Sequence, residues 1–376
     1  MITAAAIVVA LAILGAVLQD AFEVMLLPRR IRRRLRLVRA FFTWTWRGWT
    51  AVALRIPPGH RRDAFVSFYG PLSLVALLVI WACGLILGFG ILTWALALGG
   101  PAPLAFPTAL YVSGATFFTL AYGDMVPRTT AGRVLAVMEA GTGLGFIAVV
   151  IGYLPVLYQL FSRREGPVIL LDERAGSPPS ATALLVRHAE GESLDRLDEL
   201  LASWERWAAE LVESHLSYPM LGYYRSQHDN QSWLAALTAV MDTCALVMVG
   251  FPGVRTFQAR MTFAAARLAV VELSRVFVAA PRPPHSDRLG AATFATMRQL
   301  LEQAGLPFSD DATAEQTLDE FRKTYEPFVN GLASQLLMTL PPWVGDPHGD
   351  ALDNWQRSRR GRTVKRLVEG VPAKPA

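Results

Sequence analysis

Between two long apolar stretches lies Thr119-Leu120-Ala121-Tyr122-Gly123-Asp124, a run offering a hydroxyl, backbone carbonyls, a phenol and a carboxylate in close succession. It follows Phe106 to Phe118, an apolar segment too short for a full membrane span, so the pair reads as a re-entrant helix and an extended loop. Lipid cannot satisfy the hydrogen bonds of non-helical backbone, which is tolerated at membrane depth only where it is buried in protein or lines a water-filled cavity. A pore loop meets that condition. Bond-making chemistry finds no support. No strand leads into a Gly-x-Gly-x-x-Gly turn, and no zinc spacing, nucleophile elbow or cyclic-nucleotide barrel is visible beyond residue 165. Cys83 and Cys244 stand far apart, which argues against a structural disulfide. An enzyme is not expected.

The stretch resembles the filter of the potassium-channel superfamily, a Thr-Val-Gly-Tyr-Gly loop whose carbonyl oxygens replace the hydration shell of the ion. Thr119, Tyr122, Gly123 and Asp124 match, Leu120 stands for valine, and Ala121 replaces the first glycine. The resemblance implies a cation channel whose ion ligands are the carbonyls of Thr119, Leu120, Ala121 and Tyr122 with the Thr119 hydroxyl. Potassium is the implied permeant ion, with sodium as the alternative, and no cofactor is called for. Asp124 would concentrate cations at the outer mouth, and Tyr122 would pack behind the loop. One pore loop per chain implies a homotetramer. Ala121 is the departure that matters. In the family both filter glycines use backbone angles open mainly to residues without a Cβ, and an L-residue there costs about 1–2 kcal/mol per site. The loop either keeps the potassium geometry under strain or relaxes and loses an ion site, so weakened selectivity or low conductance is expected. A non-conducting relative that displays a regulatory domain is the alternative.

The elements that must position this loop follow from composition. Of 376 residues 52% are hydrophobic and 18% charged, and the apolar excess precedes residue 162, which predicts a membrane domain followed by a soluble one. Residues 1–28 read as an uncleaved first span. Asp20 and Glu23 lie one turn apart on it, to pair with nearby arginines or to attract cations. Residues 29–64 form a basic, aromatic interfacial segment. Arg29, Arg30, Arg32, Arg33, Arg34, Arg36 and Arg39 are followed by Phe41, Phe42, Trp44, Trp46 and Trp49. Such clusters read as orientation or anionic-lipid signals rather than as a nucleic-acid footprint, and they place the N-terminus outside. Residues 65–164 form the pore domain, with an outer helix 65–98, pore helix and filter 105–127, and inner helix 131–161. The expected location is the plasma membrane, of the bacterial inner-membrane kind.

Within the inner helix, Gly141, Gly143, Gly145 and Pro155 are candidates for a gating hinge, as the resemblance implies, or for close helix packing. Glu139 either pairs with Arg128 or Arg133 or braces the loop from behind. Residues 165–376 are expected to form a cytoplasmic helical bundle with an unidentified ligand, on the three-to-four-residue spacing of Leu194, Leu197, Leu201, Trp204, Ala208 and Leu211. Pro167 to Asp172 reads as one short strand. Ala236 to Phe251 is apolar enough for a fourth span, but Asp242 and its length favour a core helix. The cluster Tyr223 to Trp233 offers an anion or pH site through His228, or a helix cap at Asp229 and Asn230. The basic tail, Arg357 to Arg366, is expected to touch the membrane. The expected fold class is thus an all-α membrane protein with three spans, a re-entrant pore helix and filter loop, and a helical cytoplasmic bundle.

Overall fold

The computed structural model describes residues 2–25, 37–98, 104–190, 194–226, 231–251, 254–284, 286–309 and 312–345. It divides into two compact units, Met1–Gln159 and Leu160–Ala376. Among the described residues all regular structure is helical.

The first unit contains α1 (Ile2–Met25), α2 (Leu37–Ala53), α3 (His60–Ser67), α4 (Tyr69–Leu98), α5 (Phe106–Phe117) and the start of α6 (Thr130–Ala175). Glycines let α4 approach two neighbours closely. A Cβ on Gly88 would meet Leu14 of α1 at 2.6 Å, and one on Gly84 would meet Val17 at 2.8 Å. On Gly90 it would meet Leu110 of α5 at 2.7 Å. Small residues serve this purpose in membranes, where close van der Waals contact replaces the hydrophobic effect as the force between helices. Asp20, buried in α1, accepts a hydrogen bond from Trp81 Nε1 of α4 at 3.0 Å. Aromatic rings join α2, α3 and α4: Trp49 stacks on Phe65 at 4.6 Å, and Trp46 meets Tyr69 edge-on at 4.7 Å. The arginines at 29–36 lie outside the described residues, as do the tail at 357–366 and the residues 228–230.

Among the described residues four helices are long and apolar enough to cross a membrane. In three, Ile2–Met25, His60–Ala97 and Thr130–Ala175, the most apolar windows are only 17%, 39% and 11% buried, leaving apolar faces that need a non-aqueous neighbour. The fourth, Trp233–Gly250, is 89% buried. Its side chains are used by the core of the second unit, as expected of a core helix.

That second unit comprises the end of α6, α7 (Ala181–Glu190), α8 (Leu194–Ser217), a 3₁₀ turn (Pro219–Tyr223), α9 (Trp233–Gly250), α10 (Phe257–Val276), α11 (Ala291–Gln303) and α12 (Ala312–Leu336). Two expectations are corrected. Pro167 to Asp172 is not a strand but part of α6. Val168, Leu171 and Ala175 are buried while Ile169 and Leu170 are exposed, a three-to-four-residue spacing that the run Val-Ile-Leu-Leu conceals in sequence. The cap of α9 is Ser232, whose Oγ accepts from Ala235 N at 3.0 Å, rather than Asp229 or Asn230. Arg225, in the same polar cluster, donates to the carbonyls of Leu336 and Leu337 at 2.5 and 2.9 Å. It thereby satisfies the open end of α12.

Two buried charge clusters organise this unit. Arg288 grips Asp242 of α9 with two bonds of 2.9 and 3.1 Å and reaches Glu326 of α12 at 2.9 Å. Tyr325 donates to the same Asp242. The Trp343 ring lies 5.6 Å from the Arg288 guanidinium and 5.7 Å from that of Arg322. In the second cluster Arg164 donates to Glu165 at 2.8 Å and to the carbonyls of Leu221 and Tyr224 at 2.7 and 2.9 Å. Its guanidinium also stands 3.4 Å from His215 Nε2. His215 Nδ1 donates to Leu211 O at 2.8 Å, which leaves Nε2 as the acceptor facing Arg164.

Two outcomes follow from these clusters. Removing Arg288 takes the cation from the buried Asp242 carboxylate, while Glu326 keeps Arg322 at 3.2 Å, so Arg288→Met should cost about 3 kcal/mol in denaturant unfolding followed by tryptophan fluorescence. Burial, and then the Arg164 charge, push the His215 imidazole down to about 3 from its ordinary 6.5. The unfolded chain therefore takes up a proton that the folded one refuses, so this contribution is complete above about 6.5 and declines as pH falls toward 3. His215→Gln should flatten the loss of urea resistance over that range.

Candidate pore and filter loop

α5 begins with Pro107 in its first turn, where a missing N–H costs nothing, and its 12 residues make a rod of about 18 Å, well short of a bilayer core. The chain leaves it by folding back on its C-terminal carbonyls: Thr119 N donates to Thr116 O at 3.0 Å and Leu120 N to Ala115 O at 2.8 Å. In the loop that follows, φ is positive at every second residue, 54° at Thr119, 53° at Ala121 and 78° at Gly123. Glycine takes this region freely, whereas Thr119 and Ala121 carry the Cβ penalty of about 1–2 kcal/mol. Ala121 thus holds a backbone angle that favours glycine.

The far end of the loop is tied down as well. Tyr111 of α5 donates its hydroxyl to Asp124 Oδ2 at 2.9 Å, so one helix holds both ends of the loop. Between α5 and the loop lies an open depression of about 310 Å³ lined by Tyr111, Thr116, Thr119, Ala121 and Asp124 among others. Leu120 and Tyr122 are 49% and 67% exposed in the single chain, so Tyr122 does not pack behind its own loop.

Behind α5 stands α6. Glu139, 2% exposed, meets the Ser113 hydroxyl of α5, and Ser113 also lies 2.8 Å from the carbonyl of Ile86 on α4. Among the described residues no cation pairs with Glu139; Arg133 donates instead to Pro127 O at 3.3 Å. Gly143 packs so closely on the end of α5 that a Cβ there would fall 2.0 Å from Phe117 O. Gly141 and Gly145 face open space in the single chain, and α6 runs unbroken past Pro155. Asp20 is brought to Trp81 and Glu23 to Gln19, the latter at 3.0 Å. Neither approaches the loop through a described bond.

Tyr111 and Ser113 were not singled out in the sequence. Their signal was polarity: a phenol and a hydroxyl inside an otherwise apolar pore helix, one of them placed to reach back along the loop.

A short helix that ends in a strained loop between two spanning helices is the architecture of a pore. The comparisons agree: residues 75–159 match a family described as "Ion channel", and that region is an ion channel domain. An uncharacterized membrane protein of Bacillus subtilis (strain 168), YdjJ, is 23% identical over 222 residues, which cover 57% of this chain and 62% of that protein. The chain thus spans less than two thirds of the length of that relative. No solved structure matches. The protein is a multi-pass membrane protein with an ion channel domain.

The closeness of α5 and α6 yields a direct test. Gly143→Ala must push the two helices apart against a backbone carbonyl, and a loss of about 1–3 kcal/mol is expected in thermal unfolding of the detergent-solubilised chain. Gly141→Ala, with no atom within 4 Å, should stay within about 0.5 kcal/mol of the parent.

Proposed function

We propose that this chain forms a potassium-channel-like cation channel, with four copies around one axis and the loop Thr119 to Gly123 as the filter. The observation that carries this reading is the alternation of φ along that loop. Alternating its sign turns successive peptide planes to one side, and a column of carbonyls is what replaces the water shell of a permeating potassium ion. The exposure of Leu120 and Tyr122 supports assembly, because irregular backbone at membrane depth has to be covered by protein or water. Three further copies around an axis supply both. Asp124, held by Tyr111, stands at the mouth as a fixed negative charge for arriving cations.

In this reading the N-terminus and Asp124 lie outside, and residues 165–376 lie in the cytoplasm with an unidentified ligand. Anionic lipid meets the basic segments. Ala121 limits performance: each of four subunits holds a strained alanine, so the loop departs from the conducting geometry more readily than one with glycine. Sodium discrimination is accordingly weak.

Planar-bilayer recording of the reconstituted chain tests this. Ala121→Gly relieves about 1 kcal/mol per subunit and should raise the potassium-to-sodium permeability ratio several-fold. Equal ratios in the two proteins would count against the role given to Ala121, and a wild-type protein that passes no cation would remove the channel reading.

A further inference from the structure

Three helices meet at one oxygen atom behind the loop. Ser113 Oγ of α5 lies 2.8 Å from the carbonyl of Ile86 on α4 and within hydrogen-bonding distance of Glu139 Oε1 on α6. A hydroxyl has one hydrogen to give, and a backbone carbonyl has none. Two contacts at hydrogen-bonding distance need two hydrogens. If Glu139 were ionised, one of the pairs would place oxygen lone pairs face to face with nothing between them. A neutral carboxylic acid supplies the missing hydrogen.

We infer that Glu139 is held as a protonated acid that donates to Ser113 Oγ, while Ser113 donates to the Ile86 carbonyl, and that this relay makes Glu139 a positioning residue for the pore helix. The surroundings agree. Ser113 is fully buried and Glu139 nearly so, and no cation among the described residues offers to balance a carboxylate. The charged and titratable groups nearest in sequence are otherwise engaged or distant: Arg133 is bonded to Pro127 O, and Tyr111 to Asp124. The Ile86 carbonyl has two lone pairs, so it can serve the α4 ladder and Ser113 together.

The consequence is mechanical. Ser113 lies in the half of α5 whose carbonyls anchor Thr119 and Leu120, so the relay fixes the base of the loop against α4 and α6 at once. This positioning role rests on the filter reading above, whereas the assignment of the proton does not.

Infrared spectroscopy of the full chain in lipid bilayers at neutral pH separates the two. The carbonyl stretch of a protonated acid should be present in the wild type and absent from Glu139→Gln, and Ser113→Ala should move it to higher frequency as the acid loses its acceptor. A difference spectrum showing only lost carboxylate bands overturns the assignment. Glutamine is neutral, nearly isosteric and keeps a donor, so Glu139→Gln should retain potassium flux while Glu139→Ala lowers it about tenfold, equivalent to 1.4 kcal/mol. Equal flux in all three would refute the positioning role. An acid band in a wild-type protein without flux would remove the filter reading and leave the proton in place.

Discussion

Irregular backbone inside a membrane has no solvent to fall back on, and this constraint governs the first unit. The loop from Thr119 to Asp124 has no ladder of its own. Its first two amides return to α5, and its last carboxylate is held by Tyr111 of the same helix. The loop is thus only as well placed as α5. That short helix is placed in turn by α4, through Gly90 and Ser113, and by α6, through Gly143 and Glu139. α1 completes the sequence by closing on α4 at Gly84 and Gly88, with Asp20 on Trp81. Small residues and single polar contacts do the positioning, as the absence of a hydrophobic force between membrane helices requires.

The second unit is held differently. Its apolar side chains are buried in a common core, and α9 is buried almost throughout. What fixes a unique arrangement is charge. Asp242 sits at the centre of α9 and accepts from Arg288 and Tyr325, while Arg288 and Arg322 flank Trp343. Buried ion pairs contribute little net stability, because desolvation offsets their attraction, but a mispaired one is costly. Asp242 therefore selects among packings of an otherwise featureless helix.

Much of this was legible in the sequence, and the limits are physical. The loop was readable because its residue types are constrained locally: a short apolar helix, then polar backbone, then a carboxylate. α9 was separable from a membrane span because an isolated aspartate in a short apolar run needs a partner that only a folded interior supplies. Pro167 to Asp172 misled because four consecutive apolar residues carry no period until their neighbours reveal which are buried. Partners distant in the chain could not be read at all. Trp81 lies 61 positions from Asp20, and Ser113 lies 26 from Glu139. Cap assignment failed more narrowly, since serine, asparagine and aspartate compete for the same role and only backbone direction decides among them.

The pair Arg163-Arg164 closing the inner helix reads in sequence as a doubly charged flank of the kind that sets the orientation of a span. In the folded protein Arg164 is 4% exposed, its guanidinium shared between Glu165 and two backbone carbonyls. Its charge is neutralised by the adjacent residue and hidden from any lipid headgroup. Arg163, by contrast, is exposed. A side chain whose sequence position suggests a charge at the surface is thus, in the folded protein, a buried strut between a carboxylate and the carbonyls of a distant turn.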